Sequence, residues 1–309
     1  MSHPRSCLCA SAPGSLMLMG EHAVLHGSHA LCAAVNKRIR VSLHPRSDTE
    51  ITIESSLGMY GTTLDNLTPK APFHFVLTAI QQSNPSCGFD LTIQADFAST
   101  LGFASSAAVT VATLTVLRAL DGRPFDRAGL LEQALTVVRT VQGTASGSDL
   151  AAAVFGGVVH YRADPLYIEP IHASLPLAAC YAGYKTPTPE VIRRVEANRL
   201  AHPERFASIF ALMNDCVHDA VAALRTNDRE RIGQLFNLHH GLQAALGCSD
   251  ETLEYLVHRL RAQDGVLGAK ISGSGLGDCV IALGNSDAAV IGYENIPIEL
   301  DTQGVILES

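Results

Sequence analysis

From residue 102 the chain reads Gly-Phe-Ala-Ser-Ser-Ala-Ala and runs without a break into Val-Thr-Val-Ala-Thr-Leu-Thr-Val-Leu. A glycine opens a run of small residues, and the run becomes a segment apolar on nearly every face. That pattern predicts a tight loop feeding a central buried helix, Ser105–Leu120. The unpaired N–H groups of its first turn and the positive end of its dipole would then face the loop, an arrangement that holds phosphate. The plain alternative is an ordinary helix start with Ser105 or Ser106 as N-cap. A second small-residue run, Ser272-Gly273-Ser274-Gly275-Leu276-Gly277, lies near the C-terminus. Two such cradles suggest a nucleotide and a second anionic group.

The rest of the chain predicts α+β architecture. Arg38–Leu43, Glu50–Glu54 and Phe89–Gln94 alternate polar and apolar residues as strands do, and Leu16–Met19 is a short apolar run. Helical spacing marks Phe73–Gln82, a segment from an Asp126 cap to Gln142, and Gly147–Phe155, which leads into a strand at Val158–Arg162. The Pro-containing stretch 164–176 is the candidate boundary between two domains, 1–170 and 171–309. Beyond it, Leu177–Tyr181 reads as a strand, and Thr188 as an N-cap with Pro189 at the first helical position. Helices follow to Gln263, then strands at Val266–Ile271, Cys279–Leu283, Ile296–Asp301 and Gly304–Leu307.

With 309 residues, 47% of them apolar and 17% charged, the chain can bury a large core and is not disordered. A net charge of −8 argues against a nucleic-acid partner. The longest apolar run, near residues 107–120, is too short to span a membrane, and the N-terminus lacks the apolar core of a secretory signal, so the expected location is cytoplasmic. Eight cysteines without a CxxC pair read as reduced, structural thiols. Neither an HExxH motif nor a shared helix face for His239 and His240 points to a metal.

Four segments carry chemistry. Residues 12–27, APGSLMLMGEHAVLHG, put Glu21 and His22 just after an apolar strand, where a polar substrate would be met. GFASSAA at 102–108 is the phosphate loop, and the Ser106 hydroxyl could reach a magnesium ion. GTASGSD at 143–149 sets Asp149 in a small-residue turn before a helix, where a carboxylate could accept the proton of an attacking hydroxyl or simply complement the helix N-terminus. KISGSGLGD at 270–278 has GxGxG rather than GxGxxG spacing and is followed by an extended run, so it joins two strands and is not a dinucleotide fingerprint. No Walker lysine follows its glycines, and no GxSxG elbow occurs in the chain.

Together and in this order, the four segments resemble the GHMP kinase superfamily over essentially the full length. GEHAVLHG and Lys185-Thr186-Pro187 are similar to the mevalonate kinase branch, while SGSDLAAAVFGG and Gly277-Asp278-Cys279 are nearer to phosphomevalonate kinases. The resemblance implies a two-domain GHMP kinase fold, with an N-terminal domain like domain 2 of ribosomal protein S5 and a ferredoxin-like C-terminal domain. It implies ATP and Mg²⁺ as cofactors, and transfer of phosphate to the 5-hydroxyl of mevalonate, a small-molecule alcohol. Asp149 and Lys185 would be catalytic. Glu21, His22 and Ser146 would bind substrate. Gly102, Ala104, Ser105, Ser106, Ala107, Gly273, Ser274 and Gly275 would bind the ATP phosphates, with Ser106 also on the metal. Phosphomevalonate as acceptor, met by Lys185, Arg193 and Arg194, and a nucleotide-binding protein without catalysis are the alternatives. A monomer and a homodimer are equally compatible.

Two departures stand out. Kinases of this type usually read PGK where this chain has Pro13-Gly14-Ser15, and carry a magnesium-ligating glutamate where Val138 stands, eleven residues before Asp149. The phosphate loop also has Thr100 and Ala104 where glycines are usual.

Overall fold

The computed structural model describes residues 7–98, 101–284, 290 and 292–308. Ser99 and Thr100, at the start of the phosphate loop, therefore lie outside the described residues. Strands β1 (Leu8–Met19), β2 (Ala30–Pro45), β3 (Glu50–Ser55), β4 (Gly58–Thr63), β5 (Phe89–Ala95), β6 (Val158–Arg162) and β7 (Tyr167–Ile171) come from the first half of the chain. Helices α1 (His74–Ser83), α2 (Ser105–Leu120), α3 (Arg127–Gln142) and α4 (Ser148–Phe155) lie between them in sequence. The second half supplies β8 (Leu177–Lys185), α5 (Thr188–Ala201), α6 (Pro203–Thr226), α7 (Arg229–Ala245), α8 (Glu251–Arg261), β9 (Val266–Ser272), β10 (Gly277–Gly284), β11 (Glu294–Ile298) and β12 (Ile306–Glu308).

The first sheet runs β12-β1-β2-β5-β3-β4, with β6 also on β2 and β7 on β6. Among the described residues only β3 and β5 pair in parallel, and α1 falls between them in sequence. The second sheet, β11-β8-β10-β9, is antiparallel throughout. Helix α2 packs on β1 and β2, and α7 and α8 pack on β9. In α2, Val111, Leu114, Val116 and Leu117 are at most 1% exposed. Each such side chain contributes about 1.5–3 kcal/mol by leaving water. This helix is the central buried one that its composition predicts.

Several bounds differ from the sequence reading, and the reasons are physical. β1 begins at Leu8 rather than Leu16, because its first half is buried on both faces and shows no alternation. β2 likewise begins at Ala30, not Arg38. β7 occupies the stretch read as an irregular boundary. The C-terminal strand does not stay with residues 171–309. It pairs antiparallel with β1, Cys9 opposite Glu308 and Ser11 opposite Ile306, so the chain returns to its own first sheet. Helix α5 has Pro187 at its N-cap, which makes Thr188 its first residue and Pro189 its second. The Asp126 cap is as expected, accepting from the amides of Ala128 and Gly129 at 3.1 and 3.0 Å. The cysteines form no disulfide.

One helix, α6, is long and apolar enough by composition to cross a membrane. In the fold, Phe206, Phe210, Met213, Val217, Val221 and Leu224 make a buried stripe along it, and it packs on α7. It is amphipathic, with Glu204, Asp215, Asp219 and Arg225 outside that stripe.

The contact of α7 with β9 is close because glycines meet there. A Cβ on Gly233 would lie 2.5 Å from the Leu267 carbonyl oxygen, and one on Gly268 would lie 2.1 Å from the Gly233 oxygen. Gly233→Ala should therefore force helix and strand apart and cost about 1–3 kcal/mol, read as a lower urea midpoint. A midpoint equal to or above that of the parent chain would refute this account of the packing.

Candidate active site

A cleft of about 190 Å³ lies where the two sheets approach each other. Its walls come from the end of β1, the first turn of α2, the turn before α4, the end of β8 and the β9–β10 loop. All four segments singled out in the sequence contribute to it: Glu21 and His22, then Gly102, Ala104, Ser106 and Ala107, then Ser146 to Asp149, and Gly273 and Ser274; Ser105 and Gly275 are not among the lining residues. They arrive from positions more than 200 residues apart.

Asp149 is the second residue of α4, so its carboxylate stands at the positive end of a helix. Ser15 Oγ donates to Asp149 Oδ1 at 2.8 Å, and the Cys32 thiol lies 3.5 Å from the same oxygen. Ser15 is held in turn, since its amide donates to the carbonyl of Phe103 in the phosphate loop at 3.1 Å. The residue standing where related kinases carry lysine thus ties the aspartate to the loop. Burial and the charge of Asp149 push the Cys32 thiol well up, so it stays protonated. Ser146 Oγ lies 3.0 Å from Ser148 Oγ, and the Ser146 carbonyl accepts from Tyr161 at 2.6 Å. These contacts fix the turn that carries Asp149.

In the phosphate loop, neither Ser105 nor Ser106 is the N-cap. That place is taken by Ala104, in left-handed conformation at φ 48°, with no side-chain cap. The Ser105 and Ser106 amides precede any intrahelical acceptor, and the Ser106 residue borders the cleft. The first turn is thereby left to bind something other than its own side chains.

Facing it is the β9–β10 loop, where Gly273 and Gly275 take φ of 87° and 86°. His22, itself at φ 61°, donates from Nε2 to the Ser274 carbonyl at 2.9 Å. Burial lowers the His22 pKa, which keeps the ring neutral. Thr186 Oγ1 donates to the Leu276 carbonyl at 2.6 Å and ties the β8–α5 turn to the same loop.

Lys185 does not stand free. Its Nζ lies 2.8 Å from Asp278 Oδ2. The β8–β10 register slips between Gly277 and Cys279, and Asp278, at φ 71°, leaves the ladder there. Its other oxygen, Oδ1, is buried without a hydrogen-bond partner. A Cβ on Gly102 would come within 1.9 Å of that oxygen, so a side chain there would displace the Asp278 carboxylate from its present position. Burial raises the Asp278 pKa, Lys185 opposes the rise, and the charge of Asp149 adds to it.

Behind the cleft lies a buried ion pair between the domains. Glu21 is 3% exposed and Lys270 fully buried, and Lys270 Nζ donates to Glu21 Oε1 and to the Ile271 carbonyl. The Gly20 amide donates to His239 Nε2 at 2.9 Å, which fixes that ring as a neutral acceptor, and burial pushes its pKa well down. Burial raises Glu21 and lowers Lys270, and each keeps its charge through the other. Glu21 borders the cleft, but one carboxylate oxygen is committed to Lys270.

Three residues of this arrangement are not picked out by sequence reasoning. Lys270 and Asp278 stand inside the C-terminal motif, but nothing local says that one is buried and the other leaves its strand. Ser15 is visible only as a departure, although its place one residue after Pro13-Gly14 in a buried strand marks it as a polar group needing a partner.

Three family models match parts of the chain. The galactokinase galactose-binding signature matches residues 2–45, the GHMP kinases N terminal domain residues 72–157, and the GHMP kinases C terminal domain residues 220–300. A mevalonate kinase of Aeropyrum pernix is 31% identical over 297 residues, covering 93% of this chain and 91% of its own. Among solved structures, the mevalonate kinase of Methanococcus jannaschii superimposes with a TM-score of 0.81 at 21% identity, covering 96% of this chain and 99% of its own. Lactococcus lactis galactokinase complexed with galactose gives a TM-score of 0.83 at 19% identity, with 99% and 95% covered. Likeness at that identity speaks for the fold and not for the acceptor.

Lys270→Met leaves Glu21 buried without its cation. The expected cost is about 3–5 kcal/mol in urea unfolding at neutral pH, largely recovered in the Lys270→Met/Glu21→Gln double variant. With Lys270 gone, only backbone hydrogen bonds oppose the upward push of burial on the Glu21 pKa. The single variant should therefore lose stability as pH rises through that raised pKa, and lose less below the carboxylate range. A pH-independent loss of under about 1 kcal/mol would show that the pair is not buried as described.

Proposed function

The chain belongs to the GHMP kinase family, and from that premise we propose that it transfers the γ-phosphoryl group of ATP to the 5-hydroxyl of mevalonate. The observation that carries the reaction type is Asp149, held by Ser15 against the phosphate loop. The acceptor rests on the length-wide similarity to mevalonate kinases.

Phosphoryl transfer needs positioning and charge stabilisation more than covalent help from the protein. The first-turn amides of α2 and the backbone of Gly273–Gly275 would hold the triphosphate from the two domains. Asp149 would accept the proton of the attacking hydroxyl as the oxygen–phosphorus bond forms and ADP leaves. Glu21 would act by holding the 20–22 turn, and His22 and Ser146 would border the acceptor. Lys185 is the one lysine or arginine among the described residues lining the cleft. With Ser15 in the usual lysine's place, Lys185 would supply the cation that meets the developing charge, with Asp278 fixing its position.

Among the described residues no cluster of three or more His, Cys, Asp or Glu could hold a metal by itself. That suits magnesium, which is commonly held by nucleotide phosphates with only one or two protein oxygens. The unpartnered Asp278 Oδ1 and the Ser106 hydroxyl are hard oxygen donors of the right kind. Ser106 would hold the ion with the nucleotide, and the ion would neutralise phosphate charge.

The phosphomevalonate alternative needs cations for a second phosphate. Arg194 instead pairs with Glu190 on an exposed face of α5, and neither it nor Arg193 is among the residues lining the cleft. The reading without catalysis rests on Ser15 and Val138 in place of the two usual charged residues; against it, the aspartate, the loop and a cation all border the cleft.

Asp149→Asn should lower kcat with mevalonate by about 10²–10⁴-fold, while ADP affinity stays within a few-fold. Lys185→Met should lower kcat more than it raises the KM for mevalonate. Coupled assays with mevalonate and with 5-phosphomevalonate give the acceptor. Near-parental turnover in Asp149→Asn, or a preference for 5-phosphomevalonate, would overturn the corresponding part of the reading.

A further inference from the structure

A second hollow, of about 550 Å³, lies away from the catalytic motifs. It is bounded by the turn after β1, the end of β6, the last turn of α5 and one face of α6. Five basic side chains line it: His26, His29, Arg162, Arg199 and His218. No aspartate or glutamate does, in a chain whose net charge is −8. Ala207, Phe210 and Ala211 give it an apolar side, with the His26 ring stacked on Phe210 at 4.8 Å.

The hydrogen-bonding capacity of these groups is incompletely used. Arg199 has Glu196, at 2.6 and 2.7 Å, and His26 Nε2 is 3.6 Å from the same residue. Among the described residues Arg162 has no ion pair, and its Nε donates only to the Pro165 carbonyl at 3.2 Å. The His29 ring packs against those of His160 and His218, at centroid distances of 4.6 and 4.7 Å, and its Nδ1 is buried without a partner. The carboxylate behind them, Glu169, is already taken by His160, Tyr167 and Arg225. Burial first, then His160, His218 and Arg162, pull the His29 pKa down to about 4. His29 is therefore a neutral ring near neutral pH, and its buried, unpartnered Nδ1 is a hydrogen-bonding position left for a ligand beside the Arg162 guanidinium.

We propose that this hollow is a binding site for a small polyanion, phosphate- or carboxylate-bearing, with Arg162, His29 and His218 as its recognition groups and the Phe210 face taking the apolar body of the ligand. Its volume falls in the range of small-molecule sites. It is distinct from the catalytic cleft but shares a segment with it. Glu21 and His22 border the cleft, and His26 to His29 border this hollow, within one stretch of nine residues. An anion bound here therefore acts on the same turn that holds the interdomain ion pair.

The experiment uses the full chain with its catalytic cleft filled by ADP, and follows the histidine ring resonances by two-dimensional nitrogen–proton NMR. Inorganic phosphate and, separately, sodium succinate are titrated at constant ionic strength. The expected result is a saturable shift of the His29 and His218 rings with at least one of the two anions, and the stronger of them gives the ligand's chemistry. Arg162→Gln, at a half-exposed position outside the cleft, should raise the midpoint about tenfold while leaving kcat unchanged. Three results would overturn the proposal: linear, unsaturated shifts with both anions, the same midpoint in Arg162→Gln, or shifts that disappear once ADP fills the cleft.

Discussion

The Glu21–Lys270 pair is the contact on which the site's geometry depends. Isolated, either charge would be untenable at that depth, so the pair forms only when the turn after β1 and strand β9 come together. It does more than fasten two domains. Gly20 and His22 flank Glu21, and each makes its own cross-domain bond, to His239 and to the Ser274 carbonyl. Three successive residues thus fix where the C-terminal glycine loop stands relative to the strand bearing Ser15. The pair is costly to bury, and its return is geometric registry rather than net stability.

That registry explains how a cleft lacking two charged groups usual in such kinases still converges. Ser15 cannot supply charge, but its hydroxyl and amide join Asp149 to the Phe103 carbonyl, so the aspartate and the phosphate loop move as one unit. The positive charge enters from the other domain instead, on Lys185, braced by Asp278. Val138 lines the cleft with an apolar side chain, whereas Asp278 brings a carboxylate with an unsatisfied oxygen to the phosphate loop. The cleft therefore keeps one lysine and three carboxylates, Glu21, Asp149 and Asp278, drawn from different segments of the chain.

How much of this was legible in the sequence depends on the range of the interaction. Helix α2 was readable because a segment apolar on all faces has few alternatives. The Asp126 cap was readable because its partners lie two and three residues away. The early half of β1 was not, since Cys9, Ser11 and Ala12 in a strand covered on both faces leave no period of two. The return of β12 to β1 joins residues nearly 300 positions apart, and no local pattern announces it. The same holds within the site. The four motifs could be named, and the resemblance ordered them, but the bonds that orient them, Lys270 to Glu21 and Ser15 to Asp149, span 249 and 134 positions.

Gly102 shows where local and global demands meet. In the sequence it reads as the opening of a phosphate loop, a place where backbone freedom is useful. In the fold its φ of 67° does use that freedom, but a second constraint applies, because the Asp278 carboxylate fills the space a side chain would need. The missing Cβ at Gly102 leaves room for the Asp278 carboxylate, which pairs with Lys185 at the end of β8. The loop before α2 and the Asp278–Lys185 pair thus meet at a residue that has no side chain. The position is therefore shaped by its own backbone conformation and by a side chain from the second sheet.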